Sequence, residues 1–160
     1  MLLNTRHFGE IEIDEENIIL FEEGLPGFNH VRKFIILDKS GGKDTHGTND
    51  IAEPVSPFEW LQCVDEPTLA FVIVNPFVFK PDYDIELSNE IIEHLEIEKE
   101  EDVALYSIVV VPEDMTKMTI NLKAPLIINM HNRKGIQTIL DTDRYSVRHY
   151  IMSQKAGQEV

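Results

Sequence analysis

Short apolar runs separated by turn residues repeat along most of the chain, and Val, Ile, Phe and Tyr are frequent in them. Side chains of these types favour pleated, half-buried strands. The runs predict ten strands, at Leu2–Thr5, Phe8–Ile13, Ile18–Phe21, Lys33–Leu37, Phe58–Cys63, Leu69–Val74, Val103–Val111, Met118–Leu122, Leu126–Met130 and Ile136–Leu140. Short strands with turns about every 8–12 residues are typical of a β-sandwich or a β-barrel.

Three runs also predict how their strands are buried. Polar and apolar residues alternate from Glu10 to Ile13, which predicts a strand with one solvent-exposed face and one buried face. Ala70–Val74 and Ser107–Val111 are almost continuous apolar runs. They therefore predict central strands with both faces buried.

Glycine and proline positions predict two turns. Pro26 followed by Gly27 indicates a type II turn, because proline presets φ and glycine accepts the positive angle. Residues 130–135 indicate a hairpin loop in which Gly135 adopts a positive φ.

One short helix is expected after Ser88, whose hydroxyl can cap the first turn. Ile91, Ile92 and Leu95 then fall on one apolar stripe. A helix this short is not stable by itself in water, so we expect it to dock against the strands.

Composition and charge narrow the class of protein. The 160 residues carry 14 Lys and Arg against 29 Asp and Glu, a net charge of −15. This balance argues against direct binding to nucleic acid or to an anionic membrane, because like charges repel. Cys63 is the only cysteine, which excludes an internal disulfide and suits the cytoplasm. We expect one domain over residues 1–152, with a flexible inserted loop at 38–56 and a frayed tail at 153–160.

No spacing in the chain indicates a catalytic site, a metal site or a cofactor site. Cys63 would need a nearby base to act as a nucleophile, and a buried structural cysteine is the simpler interpretation. His131, Asp141, Asp143 and His149 lack the spacing of a zinc site. Among 29 acids some pair always resembles the carboxylates of a glycosidase, so that signal has little specificity.

The strongest functional signal is the acidic run from Asp82 to Asp102, in which ten carboxylates accompany a single lysine. The run surrounds the apolar stripe of the helix, and an apolar patch ringed by polar groups is a common design for a protein-binding face. A solvated helix face is the alternative. The candidate contact residues here are Glu90, Ile91, Glu93, His94, Glu96 and Glu98.

Two aromatic residues outside this run are further candidates for partner contacts. Phe28 flanks the Pro26–Gly27 turn, and Trp60 lies on one face of the Phe58–Cys63 strand. Packing in the core is the alternative for both side chains.

Five runs in order, from about residue 18 to 149, carry a resemblance to a known family. They are Ile18–Phe28, which contains Gly-Leu-Pro-Gly-Phe, Ser56–Pro67, which contains Pro-Phe-Glu-Trp-Leu-Gln, Asn121–Asn129, Gly135–Gln137 and Tyr145–His149. Together they are similar to the flagellar assembly factors of the FliW family. The chain departs from that pattern in its longer 38–56 segment and in Cys63, where serine is commoner.

The resemblance implies a mainly β, compact single-domain, β-barrel-like fold with one short helix, and no catalysis. It implies that the protein binds flagellin in the cytoplasm. It also implies that the free protein binds and antagonises CsrA, a small RNA-binding repressor of flagellin translation. A dedicated flagellin chaperone without a regulatory role and a small carboxylate-dependent hydrolase remain the alternatives.

Overall fold

The computed structural model describes residues 1–37 and 57–152. The loop expected at 38–56 and the frayed tail expected at 153–160 lie outside the described residues. The strands are β1 (Leu2–Thr5), β2 (Gly9–Glu12), β3 (Ile19–Leu20), β4 (Lys33–Leu37), β5 (Phe58–Cys63), β6 (Ala70–Val74), β7 (Val103–Val110), β8 (Thr119–Ile120), β9 (Leu126–Asn129), β10 (Lys134–Gln137) and β11 (His149–Tyr150). Within the described residues there is one α-helix, α1 (Asn89–Leu95), and there are four short 3-10 helices.

Seven strands close into a barrel in the order β7-β6-β5-β4-β3-β10-β9, and β9 pairs back onto β7. Neighbouring strands in the barrel are antiparallel except β3 and β10, which are parallel. Strands β8 and β11 extend the sheet beyond the far end of β7. The prediction of a mainly β, barrel-like fold with one short helix is confirmed.

The main core contains apolar side chains from strands around the barrel, with Phe21 and Phe34 fully buried at its centre. Strands β1 and β2 form a separate hairpin, which packs Leu3 and Ile11 against Ile35 of β4. The alternation predicted for β2 is confirmed, because Glu10 and Glu12 are exposed whereas Ile11 is buried.

The turn at Pro26 and Gly27 also agrees with the prediction. Gly27 has a φ of 83°, and the amide of Phe28 donates a 2.7 Å hydrogen bond to the carbonyl of Leu25. The 2.7 Å bond and the positive φ together define the type II geometry.

The prediction of a positive φ at Gly135 is wrong. In this hairpin the left-handed residue is Arg133, with a φ of 61°, and Gly135 lies within β10 opposite Ile128. Glycine is needed there for space, because a Cβ atom would lie 2.8 Å from the ring of Phe21. Strand β10 consequently starts at Lys134, before the glycine and not after it.

The prediction that Ser107–Val111 is buried on both faces is also wrong. Val110 and Val111 are 55% and 48% exposed. At this point β7 has passed the end of the barrel and pairs with the two-residue strand β8. Strand β11 was not predicted, because two residues do not establish an alternating pattern.

Candidate functional site

Helix α1 is capped at its N-terminal end by Ser88, as expected. The Oγ atom of Ser88 accepts a 3.2 Å hydrogen bond from the amide of Ile91. Leu95 is fully buried, and Ile91 and Ile92 are half-buried, so the predicted stripe docks the helix. The helix ends at Leu95, and the next residue, Glu96, has a left-handed φ of 56°.

The β9–β10 hairpin holds the C-terminal end of α1 in place. The Nδ2 atom of Asn129 donates to the carbonyls of Leu95, at 2.9 Å, and Glu96, at 3.2 Å. Asn132 donates a further 3.0 Å bond to the Leu95 carbonyl. The Lys134 ammonium lies 2.9 Å from the Glu96 carboxylate, and its hydrogen bond lowers the pKa of Glu96. These contacts satisfy carbonyls that a helix end otherwise leaves without partners.

A groove of about 1120 Å³ separates α1 and residues 83–87 from strand β7. Apolar side chains from several elements line it, namely Phe77, Ile85, Leu87, Ile92, Ile97, Val103 and Leu105. Five carboxylates also line it, namely Glu59, Asp84, Glu86, Glu98 and Glu100. No Lys, Arg or His is among the described lining residues of this cleft, which we call the acidic groove.

The wall of the acidic groove opposite β7 is anchored by two tyrosines. The hydroxyl of Tyr83 donates a 2.6 Å hydrogen bond to the carbonyl of Leu122. The hydroxyl of Tyr145 accepts from the amide of Asp84 at 2.9 Å and lies 3.0 Å from the Asp84 carbonyl, to which it donates. Burial raises the pKa of Tyr83, so its phenol stays protonated and able to donate.

Tyr106 lies on the β7 side of the acidic groove. Burial, together with the nearby Glu59 carboxylate, raises the pKa of Tyr106 to about 12. The groove therefore adds no phenolate at neutral pH, and its negative charge comes from the carboxylates that line it.

The sequence-predicted residues of the helix are distributed unequally around this site. Glu98 lines the acidic groove, whereas Glu90 and Glu93 are exposed on the helix. Glu96 and His94 are not among the lining residues. Glu96 pairs with Lys134 of the hairpin, and Nε2 of His94 lies 3.8 Å from a carboxylate oxygen of Glu22.

Phe28 and Trp60 lie away from the acidic groove. The ring of Phe28 packs edge-on against Phe71, with centroids 5.5 Å apart. Trp60 is half-buried, and its ring centroid lies 4.7 Å from that of His7 and 5.4 Å from that of Phe8. Both aromatic rings thus take part in packing.

Sequence reasoning missed several lining residues. Asp84, Glu86 and Glu100 lie within the acidic run but were not singled out, although the run itself marked them. Glu59 and Phe77 come from a strand and a 3-10 helix that the chain places beside the groove only on folding. No local pattern in the sequence could have identified them.

The described residues show no arrangement suited to catalysis by Cys63 or to metal binding. Cys63 is fully buried, and burial raises the pKa of its thiol. In residues 1–37 and 57–152, no group of three or more His, Cys, Asp or Glu side chains could hold a metal ion. No helix in the same ranges is long and apolar enough to cross a membrane.

Comparisons with known proteins agree on one family. The family model described as "FliW protein" matches residues 2–151. A flagellar assembly factor FliW from Ruminiclostridium cellulolyticum is 48% identical over 160 residues, which cover 100% of each chain. Another, from Caldicellulosiruptor bescii, is 46% identical over 158 residues, 99% of this chain and 95% of the relative.

A solved structure gives the same result for the fold. A crystal structure of the flagellar assembly factor FliW matches with a TM-score of 0.83 and 37% sequence identity. The match covers 97% of this chain and 99% of the other. The resemblance carried by the five sequence runs is confirmed, and the chain belongs to the FliW family of flagellar assembly factors.

Proposed function

We propose that this flagellar assembly factor acts by binding alone, and that it alternates between two protein partners in the cytoplasm. Bound to flagellin, it leaves the repressor CsrA free to silence flagellin translation. Released when flagellin is exported, it binds CsrA and removes it from the message. No catalytic step is needed.

The observation that supports this proposal is the acidic groove. Five carboxylates, several apolar side chains and no described cation line it. An apolar centre supplies affinity, and a charged rim selects partners and speeds their encounter. A protein that binds RNA carries a basic surface, because it has to contact phosphates. The groove therefore suits CsrA better than it suits an acidic partner.

The proposal is tested by competition with purified components. CsrA is bound to a labelled RNA containing the leader of the flagellin message, and the chain is added while RNA binding is followed by fluorescence anisotropy. We expect the chain to release the RNA, and we expect added flagellin to restore the CsrA–RNA complex. Release of RNA that flagellin cannot reverse would contradict the alternation.

A variant links this activity to the groove. Changing Glu86, Glu98 and Glu100 to lysine should raise the concentration of chain needed to release the RNA by about tenfold or more. The matched control changes Glu10, Glu15 and Glu16 to lysine, which alters the net charge by the same amount. These three exposed acids lie near the N-terminus and do not line the acidic groove. Binding of flagellin with no effect on the CsrA–RNA complex would instead support a dedicated flagellin chaperone.

A further inference from the structure

A second, smaller groove lies beside the Pro26–Gly27 turn. It has a volume of about 370 Å³ and shares no lining residue with the acidic groove. Its walls are formed mainly by Leu25, Phe28, Phe71, Ile108, Ile139 and Val147. We call this cleft the turn groove.

The rim of the turn groove exposes apolar surface. Ile139 is 67% exposed, the highest value for a large hydrophobic side chain in the described residues, and Val147 is 51% exposed. Single exposed hydrophobic residues are ordinary, but two that border an apolar cleft form a continuous patch. Such patches, where polar residues flank them, mark sites of protein contact.

The turn groove is held in shape by bonds within its own wall. The Oδ1 atom of Asn121 accepts from the amides of Lys123, at 3.1 Å, and Ala124, at 2.9 Å. The Nε2 atom of Gln137 donates a 2.9 Å bond to the carbonyl of Ala124. The cleft is thus preformed, which lowers the entropic cost of binding.

The charge of the turn groove is opposite to that of the rest of the molecule. In a chain with a net charge of −15, no described lining residue of this cleft is acidic. Lys123 is its only ionisable lining residue among those described. Its ammonium forms no ion pair within 4.0 Å with a described carboxylate.

We propose that the turn groove is a second docking site, for a protein segment that places a bulky apolar side chain beside an aspartate or glutamate. The apolar side chain fills the cleft between Phe28 and Ile139, and the carboxylate pairs with Lys123. A cleft of this size holds an anchor side chain and not a whole helix, so affinity depends on that anchor. The inference is independent of the acidic groove, which prefers the opposite charge.

The test uses two helical peptides, acetylated and amidated, with the same leucine stripe. One carries glutamate beside the stripe and the other carries lysine at that position. Each is titrated into the isotopically labelled full chain at low salt, and binding is followed by NMR chemical shifts. We expect the glutamate peptide to bind at least about fivefold more tightly and to shift amides around Phe28, Lys123 and Ile139.

Variants separate the two parts of the proposal. Ile139→Ser should weaken both peptides about tenfold, because the anchor loses apolar contact. Lys123→Glu should reverse the preference between the peptides. The control, Lys99→Glu, makes the same charge change within the acidic run. It should leave binding of the glutamate peptide at the turn groove unchanged. Thermal unfolding of each variant checks that it is folded.

Three results would overturn the inference. They are equal affinity for the two peptides, shifts confined to the acidic groove, and no saturable binding up to about 1 mM. None of these affects release of RNA from CsrA, so the second site and the proposed function can fail separately.

Discussion

Gly9 and Gly24 have the same positive φ of 68°, but their surroundings differ. A Cβ atom on Gly9 would meet nothing within 4 Å, whereas one on Gly24 would lie 2.5 Å from the Cα of Asn29. Gly24 begins the Gly-Leu-Pro-Gly-Phe run, so its lack of a side chain lets the chain fold back tightly at that turn. A comparison of substitutions at these two glycines therefore separates the cost of backbone strain from the cost of steric overlap.

We predict that Gly24→Ala destabilises the protein more than Gly9→Ala. The Gly9 variant should lose about 1–2 kcal/mol of unfolding free energy, from the left-handed backbone alone. The Gly24 variant should lose about 2–5 kcal/mol, because backbone atoms of Asn29 must also move. Urea unfolding followed by circular dichroism measures both, and equal losses would show that the backbone of Asn29 moves at no cost.

Trp60 is predicted to contribute mainly to stability. Its ring contacts His7 and Phe8 of the N-terminal hairpin, and it packs on the cluster that contains Ile35 and Leu37. Trp60→Ala should cost about 2–3 kcal/mol, less than for a fully buried ring, and Trp60→Phe should cost less. If unfolding is unchanged while binding to flagellin or CsrA is lost, Trp60 is a contact residue.

At the scale of elements, the two ends of α1 differ in how far the sequence predicts them. The N-terminal cap could be predicted, because Ser88 stands next to the helix that it caps. The C-terminal end depends on Asn129 and Asn132, which lie more than 30 residues further along the chain. A pattern in a short stretch of sequence contains no information about contacts with residues this far along the chain. For the same reason the sequence did not show that Arg133, and not Gly135, adopts the positive φ of the hairpin.

We predict that Asn129→Ala loosens the helix. The change removes the donor to the carbonyls of Leu95 and Glu96, and it removes the Oδ1 atom that accepts from the amide of His131. Leaving buried polar groups without partners should cost about 1–3 kcal/mol. Amide hydrogen exchange should become faster throughout α1.

The matched variant at the same helix end is Asn132→Ala. Asn132 donates only to the Leu95 carbonyl, which keeps its bond from Asn129, and its Oδ1 atom accepts a 3.2 Å bond from the amide of Lys134. Asn132 and Lys134 are half-buried whereas Asn129 is buried, so the groups freed in this variant can bond to water and the loss of stability should be smaller. A loss equal to that of Asn129→Ala would contradict the assignment of Asn129 as the main anchor of α1.

A histidine in strand β11, His149, gives a prediction for how the stability of the fold depends on pH. Burial, followed by the charge of Lys80, lowers the pKa of His149 below its usual 6.5. The folded state therefore favours neutral His149, and this contribution to stability is complete above pH 6.5 and declines as the pH falls through the lowered pKa. The difference in melting temperature between the wild type and His149→Gln should shrink or reverse from about pH 7.5 to about pH 5. A constant difference would contradict this linkage.

For the whole molecule, the barrel and the negative charge of the flank around α1 could be predicted, but the shape of the acidic groove could not. Strand periodicity identified the barrel strands, and the acidic run identified the charged flank. The groove also needs Glu59 and Phe77, and only closure of the barrel brings these residues beside α1.

Charge reversal at Glu86, Glu98 and Glu100 is predicted to slow association with CsrA. Complementary fields raise encounter rates by tenfold or more at low salt, so the triple lysine variant should lose about that factor. The dependence of the association rate on salt should become flatter, as measured by stopped-flow mixing. The control variant at Glu10, Glu15 and Glu16 should retain most of the association rate and most of its dependence on salt. An equal loss in the control would show that the effect comes from net charge and not from the acidic groove.

The position of Trp60 has a practical consequence. It is the only tryptophan in the chain, and it lies where the N-terminal hairpin meets the barrel. Its fluorescence emission should therefore change when His7 and Phe8 lose contact with the indole ring. Detachment of the hairpin from an otherwise intact barrel would become visible as an emission change that precedes loss of the circular dichroism signal.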